Sequence, residues 1–148
     1  MPNDDVREVI EKLVETCSDG ETGYLHAAGV ADDPELKSYF EKQSMERGQF
    51  RVELTEALKR LGEPNPDTSG SSAALLHRAW FEFKDDMGGG DHTLLESVEQ
   101  GEDRAKAAYS DALAAQLPVE LAELVRNQNA SVKAAHDRVR AWRDQRAA

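Results

Sequence analysis

The sequence predicts an all-α protein, an antiparallel bundle of four long helices built as two hairpins. Three observations carry this reading. Apolar residues recur at three- and four-residue spacing along four long stretches, the pattern of helices with one buried face. Start and stop signals separate the stretches: Asp33-Pro34, Gly62 to Pro66, Gly88-Gly89-Gly90 and Pro118. The two halves of the chain also resemble each other.

Helix one is expected from about Asp4 to Ala28, with Val6, Val9, Ile10, Leu13, Cys17, Tyr24 and Ala28 inward and Gly29 as its stop. Asp33 can cap the next helix, and Pro34 fits a first position that needs no N–H partner. Helix two then runs from about Pro34 to Leu61 on Leu36, Phe40, Phe50, Leu54, Leu58 and Leu61. An irregular, Pro- and Ser-rich connection follows. It holds a shorter predicted helix, about Ala73 to Asp86, that would cover the bundle with Trp80 and Phe83. Helix three is expected from about Thr93, where Thr93 and Glu96 have capping-box spacing and Asp91 is the alternative cap. It continues to Ala115 on Leu94, Val98, Ala105, Tyr109 and Ala112. Pro118 opens helix four, with Leu121, Val125, Val132, Ala135, Val139 and Trp142 inward.

The internal likeness fixes the topology. Leu13-Val14-Glu15 and Asp19-Gly20-Glu21 match Leu94-Leu95-Glu96 and Gln100-Gly101-Glu102. Pro34-Glu35-Leu36 loosely matches Pro118 to Leu121, and Gln43 matches Gln128. A duplicated hairpin with one long crossover is the ferritin-like arrangement of a four-helix bundle.

Composition agrees. The chain has 148 residues, enough for one domain with a core, and 32% of them are charged. The net charge of −11 sets it against nucleic acid and against an anionic membrane surface. No apolar run reaches membrane-spanning length, and Met1 to Asp5 is acidic where a signal peptide is basic, so a cytoplasmic location is expected. Cys17 is the single cysteine and reads as a small core hydrophobe. Arg138, Arg140, Arg143 and Arg146 read as a complement to the dipole of the last helix.

Polar residues interrupt the inward stripes. Glu21 falls between Cys17 and Tyr24, and Glu102 takes the matching place between Val98 and Ala105. Gln43, Arg47 and Gln128 also face inward, and His136 lies toward an edge. With about 1.5 Å of rise per residue, Glu21 and Gln43 meet in the first hairpin, and Glu102 and Gln128 come roughly level in the second.

Ferritin-like di-iron proteins carry one Glu on each of two helices and Glu-x-x-His on each of the others. Glu21 and Glu102 match the single-Glu positions, while Gln43-x-x-Glu46 and Gln128-x-x-Ser131 stand in place of both Glu-x-x-His motifs. The chain further resembles a bacterial family of ferritin-like four-helix-bundle proteins of unknown function, distantly similar to rubrerythrin and ferritin. That likeness rests on Asp19-Gly20-Glu21 with Tyr24, Asp33 to Leu36, Arg47-x-x-Phe50, Leu76-His77-Arg78-x-Trp80, Gly101-Glu102 and Lys133 to Arg138. It implies the fold, and by analogy a link to stress physiology.

Three functional readings follow. The first is a degenerate metal centre turned into a buried polar network of Glu21, Gln43, Arg47, Glu102 and Gln128, without enzymatic activity. The second is an iron- or manganese-binding oxidoreductase or iron-handling protein, with Glu21, Glu46, Glu102 and His136 as ligands and His26 as a further nitrogen. Depleted carboxylates and the opposing charge of Arg47 favour the first over the second. The third is an interaction module presenting His77 and Trp80. His92 is expected on the surface. A homodimer is the expected assembly, since such bundles pair through flat faces. Nucleophile elbows and phosphate loops are missing from the sequence, and no catalytic residues are assigned.

Overall fold

The computed structural model describes residues 4–62 and 90–146. These form four α-helices: α1 (Asp4–Val30), α2 (Pro34–Arg60), α3 (Gly90–Ala114) and α4 (Val119–Gln145). The protein is an all-α four-helix bundle, and among the described residues no helix is long and apolar enough to cross a membrane. The predicted short helix with His77, Trp80 and Phe83 falls outside the described residues.

Local chemistry explains most helix ends. The Asp33 carboxylate accepts from the Glu35 N–H at 2.8 Å, and Pro34 follows as the first helical residue. At the far end of α2, Gly62 adopts φ 99° and its N–H donates to the Lys59 carbonyl. That left-handed conformation suits glycine after a helix end. Two expectations need correction. Helix α1 runs through Gly29 to Val30, since one glycine in open space costs about 1 kcal/mol and does not stop a long helix. Helix α3 begins at Gly90, ahead of Thr93. The Asp91 carboxylate does not cap its own helix. It accepts the N–H groups of Asp32 and Asp33, each at 2.9 Å, and so ties the start of α3 to the α1–α2 turn.

Helix α1 packs along α2 and α3, and α3 along α4, while α2 and α4 touch over a shorter stretch. Leu94 and Leu95 at the start of α3 pack with Tyr24, Ala27 and Ala28 near the end of α1. Tyr39, early in α2, meets Trp142, late in α4, edge-on with ring centres 4.8 Å apart. Both pairs therefore run antiparallel. The end of α2 and the start of α3 lie at opposite ends of the bundle.

The core is in two parts. A lower cluster gathers Ile10, Leu13, Val14, Leu54, Leu58, Tyr109, Leu121 and Val125 with their neighbours. An upper one gathers Tyr24, Leu36, Phe40, Leu95, Val98, Val139 and Trp142. Between them every helix presents polar residues, and this layer holds the candidate site.

Candidate functional site

Helix α1 has no large apolar residue between Cys17 and Tyr24, where Ser18-Asp19-Gly20-Glu21-Thr22-Gly23 passes the middle of the bundle. Opposite it, α2 presents Gln43, Ser44, Arg47 and Gly48, all buried. Glycine lets the helices exchange side chains here. Arg47 crosses over Gly20, where an added Cβ would stand 3.3 Å from its Cγ and Nη1. Glu21 crosses over Gly48 in the opposite sense, leaving an added Cβ only 2.5 Å from Oε2. Ser44 fastens the crossing by donating to the Glu21 carbonyl at 2.8 Å.

Arg47 is 1% exposed and Glu102 3%. Nη1 and Nη2 of Arg47 donate to Oε1 and Oε2 of Glu102 at 2.7 and 2.6 Å, a parallel bidentate pair joining the first hairpin to the second. Such a pair is the strongest form of charge-assisted hydrogen bond, and removing either member strands a buried charge. The guanidinium also lies 5.4 Å from the centre of the Tyr24 ring. Burial first, then the Glu102 charge, pushes the Tyr24 phenol well above its ordinary range. Glu102 raises Arg47 against the opposing cost of burial, so the arginine stays charged.

The other expected residues of the layer bond elsewhere. Glu21 is half-buried and accepts from Arg51 Nε at 3.1 Å rather than turning toward Glu102. Gln128 sits lower, in a thread of hydrogen bonds through all four helices. Tyr109 Oη donates to Gln128 Oε1 at 2.6 Å, and Cys17 Sγ lies 3.1 Å from Tyr109 Oη. Since the phenol has one hydrogen, given to Gln128, the thiol is the donor to Tyr109. Gln128 Nε2 then donates to Glu53 Oε1 at 3.1 Å. Gln43 is buried, and its Oε1 makes no hydrogen bond with the described residues. Glu46 is half-buried on α2, near Tyr39, whose phenol is pushed up to about 12 chiefly by burial.

These positions decide whether a di-metal centre fits. Both oxygens of Glu102 are engaged by a guanidinium, the two remaining core positions are amides, and Glu21 is bonded to a second arginine. Two adjacent divalent cations need anionic oxygens that are free to bind, and this set does not offer them. The residues present do not fit that group.

Of the four expected metal ligands, His136 alone joins another group of possible ligands. Glu99, Asp103 and His136 have ligand atoms that all lie within 4.8 Å of one another. His136 is 4% exposed, with Nε2 2.7 Å from Asp103 Oδ1 and 3.8 Å from Glu99 Oε2. The sequence reading missed Glu99 and Asp103. Their i, i+4 spacing puts them on one face of α3, but which helix that face meets is a tertiary fact. The basic residues of α4 are also more specific than a dipole complement. Arg143 bonds Glu99 and Asp144, Arg146 bonds Asp33, and Arg138 stacks on Trp142 with its Cζ 4.4 Å from the ring centre. His92 is half-buried within 3.5 Å of Glu96. His26, the further nitrogen considered for a metal, is half-buried near the end of α1 and outside that ligand group.

The fold and this layer define a class: a four-helix bundle whose two apolar halves are divided by a belt of ion pairs. The chain belongs to the family described as Domain of unknown function (DUF2383), whose profile matches residues 5–115, from α1 through α3. Arg47 and Glu102 both lie within that region, and Gln128 and His136 lie beyond it. No curated protein matches the chain.

Proposed function

We propose that this protein is a non-enzymatic four-helix bundle whose central ion pair, Arg47–Glu102, takes the place that a di-metal centre holds in ferritin-like bundles. The observation that carries the reading is the bidentate contact itself, in which both carboxylate oxygens of the inward glutamate are bonded to one buried guanidinium. A carboxylate so held is not available as a metal ligand or as an acid–base group, and the matching amide side chains supply no charge. What the arrangement does supply is register. A fork-shaped cation and a carboxylate at one level of two different hairpins hold the halves at a single offset. A place in stress physiology accompanies the reading by analogy alone. A deletion strain as resistant as its parent to peroxide and to starvation would remove that part.

The rival is an iron- or manganese-handling protein using Glu21, Glu46, Glu102 and His136. Aerobic addition of ferrous iron to the chelator-treated protein separates the two. The expected result is iron oxidation no faster than in buffer, and no difference in iron uptake between the natural chain and Glu102→Gln. Uptake or oxidation that Glu102→Gln abolishes in a folded protein would overturn the proposal in favour of the rival.

A further inference from the structure

We propose that Glu99, Asp103 and His136 form a site for one divalent transition cation of the zinc, iron(II) or manganese class at the α3–α4 seam. The site is separate from the Arg47–Glu102 pair and does not rest on the reading of that pair.

The geometry comes from two helices. Glu99 and Asp103 stand one turn apart on α3, and His136 faces both from α4. One imidazole nitrogen with two carboxylates is a donor set suited to these cations, in contrast to an all-oxygen set. The ring is held for the task. It is buried, and its Nδ1 lies 3.3 Å from Asp137 Oδ1. A carboxylate on the far nitrogen is the arrangement that orients ligating histidines and fixes their tautomer.

The hydrogen-bond inventory points the same way. Both ring nitrogens face carboxylate oxygens, at 2.7 and 3.3 Å. A neutral imidazole has one N–H to give. With that hydrogen toward Asp137, the Nε2 lone pair points at Asp103 and Glu99, which repel it unless a positive charge lies between them. A bound cation supplies that charge. A proton on Nε2, as the single hydrogen of the other neutral tautomer or as a second proton on the ring, is the competing explanation, and the experiment separates it from a bound cation. Arg143 takes Oε1 of Glu99 and leaves Oε2 toward His136. The Asp103 side chain is 62% exposed, which gives a cation a way in from solvent. Three protein ligands leave the remaining positions to water, so the ion should exchange.

The test uses the full chain without an affinity tag, freed of metal by chelator and titrated with Zn2+ by calorimetry. The His136 ring nitrogens are followed by long-range 1H–15N NMR. One ion per chain is expected, with the His136 Nε2 resonance moving to the metal-bound range. Asp103→Asn and His136→Gln should each weaken binding by about tenfold or more. Arg143→Ala frees Glu99 and should leave binding equal or tighter. Asp103 is exposed, so Asp103→Asn keeps the test valid even if His136→Gln fails to fold. Glu102→Gln strands the Arg47 charge, so it is compared only where circular dichroism shows it folded, and there it should leave Zn2+ binding unchanged. The proposal is overturned by an absence of stoichiometric binding. It is also overturned if Asp103→Asn and His136→Gln bind as the natural chain does, or if Nε2 stays protonated at saturating Zn2+. Binding lost only in Glu102→Gln would overturn both this inference and the ion-pair reading, whereas binding lost only in Asp103→Asn and His136→Gln supports this inference and leaves that reading intact.

Discussion

Arg47→Met removes the positive charge from the middle of the core and leaves the nearly inaccessible Glu102 carboxylate facing an apolar side chain. Stranding one member of a buried pair costs about 3–5 kcal/mol. Replacing both members with apolar residues of similar volume is often neutral, because two desolvation costs vanish together. Urea unfolding should therefore place Arg47→Met well below the natural chain and Arg47→Met/Glu102→Met close to it. A double variant as unstable as the single one would mean that Arg47 acts by packing over Gly20 and Tyr24, and not by its charge. Cys17 gives a second prediction at this scale. Burial pushes its thiol from 9.0 up to about 11, against the lowering effect of the Arg47 charge. A buried, protonated thiol is a poor nucleophile. A polar disulfide reagent at pH 8 should label it no faster than the bundle opens, and rapid labelling of the folded protein would contradict the burial.

Helices α1 and α2 exchange side chains over two glycines, and the two crossings should respond differently to alanine. Either substitution gains about 1 kcal/mol in helix propensity. At Gly48 the new Cβ would strike the Glu21 carboxylate, the end of a flexible, half-exposed side chain that can swing toward water. Its exposed pairing with Arg51 is worth about 0–1 kcal/mol, so Gly48→Ala should be close to neutral. At Gly20 the new Cβ meets Arg47, which Glu102 holds at both terminal nitrogens and which has nowhere to go. Overpacking of that kind costs about 1–3 kcal/mol, and Gly20→Ala should be the less stable of the two by thermal melting. The reverse order would show that Arg47 has slack. The elements themselves were legible in the sequence because apolar periodicity and the Asp33-Pro34 and Gly62 signals are local. The start of α3 was not. Asp91 resembles a cap in isolation, and its engagement with the backbone of Asp32 and Asp33 depends on where the first hairpin lies.

Across the whole molecule the same distinction separates what could be read of the site from what could not. Arg47 and Glu102 were visible as charges on apolar faces, but their pairing across the hairpins, and the turning of Glu21 toward Arg51, depend on helix rotations that no single helix encodes. Gln128 matched Gln43 in the repeat, yet the Tyr109 phenol draws it into a thread with Cys17 and Glu53. These burials have a collective consequence. Cys17 and Tyr109 belong to the lower cluster, Tyr24 to the upper, and Tyr39 packs against the upper one. All four are raised by burial, Cys17 from 9.0 to about 11, Tyr39 from 10.0 to about 12, and Tyr24 and Tyr109 also upward. In each case the folded chain keeps a proton that the unfolded chain releases earlier. Stability then falls as pH rises, by up to about 1.4 kcal/mol per pH unit for each proton so retained. The loss should begin near pH 9, where an unfolded thiol ionises, and steepen above 10, when the tyrosines join. Below about pH 8 these groups are nearly all neutral in both states and contribute almost no slope. Lysine deprotonation adds to the −11 charge over the same range, so the control is Cys17→Ala, which keeps every surface charge. Its chemical-denaturation stability should decline less than that of the natural chain between pH 9 and 11, at low and high salt alike. Equal declines in the two proteins would show that the Cys17 thiol ionises in the fold as it does in the open chain, leaving the alkaline loss to the tyrosines and to surface repulsion.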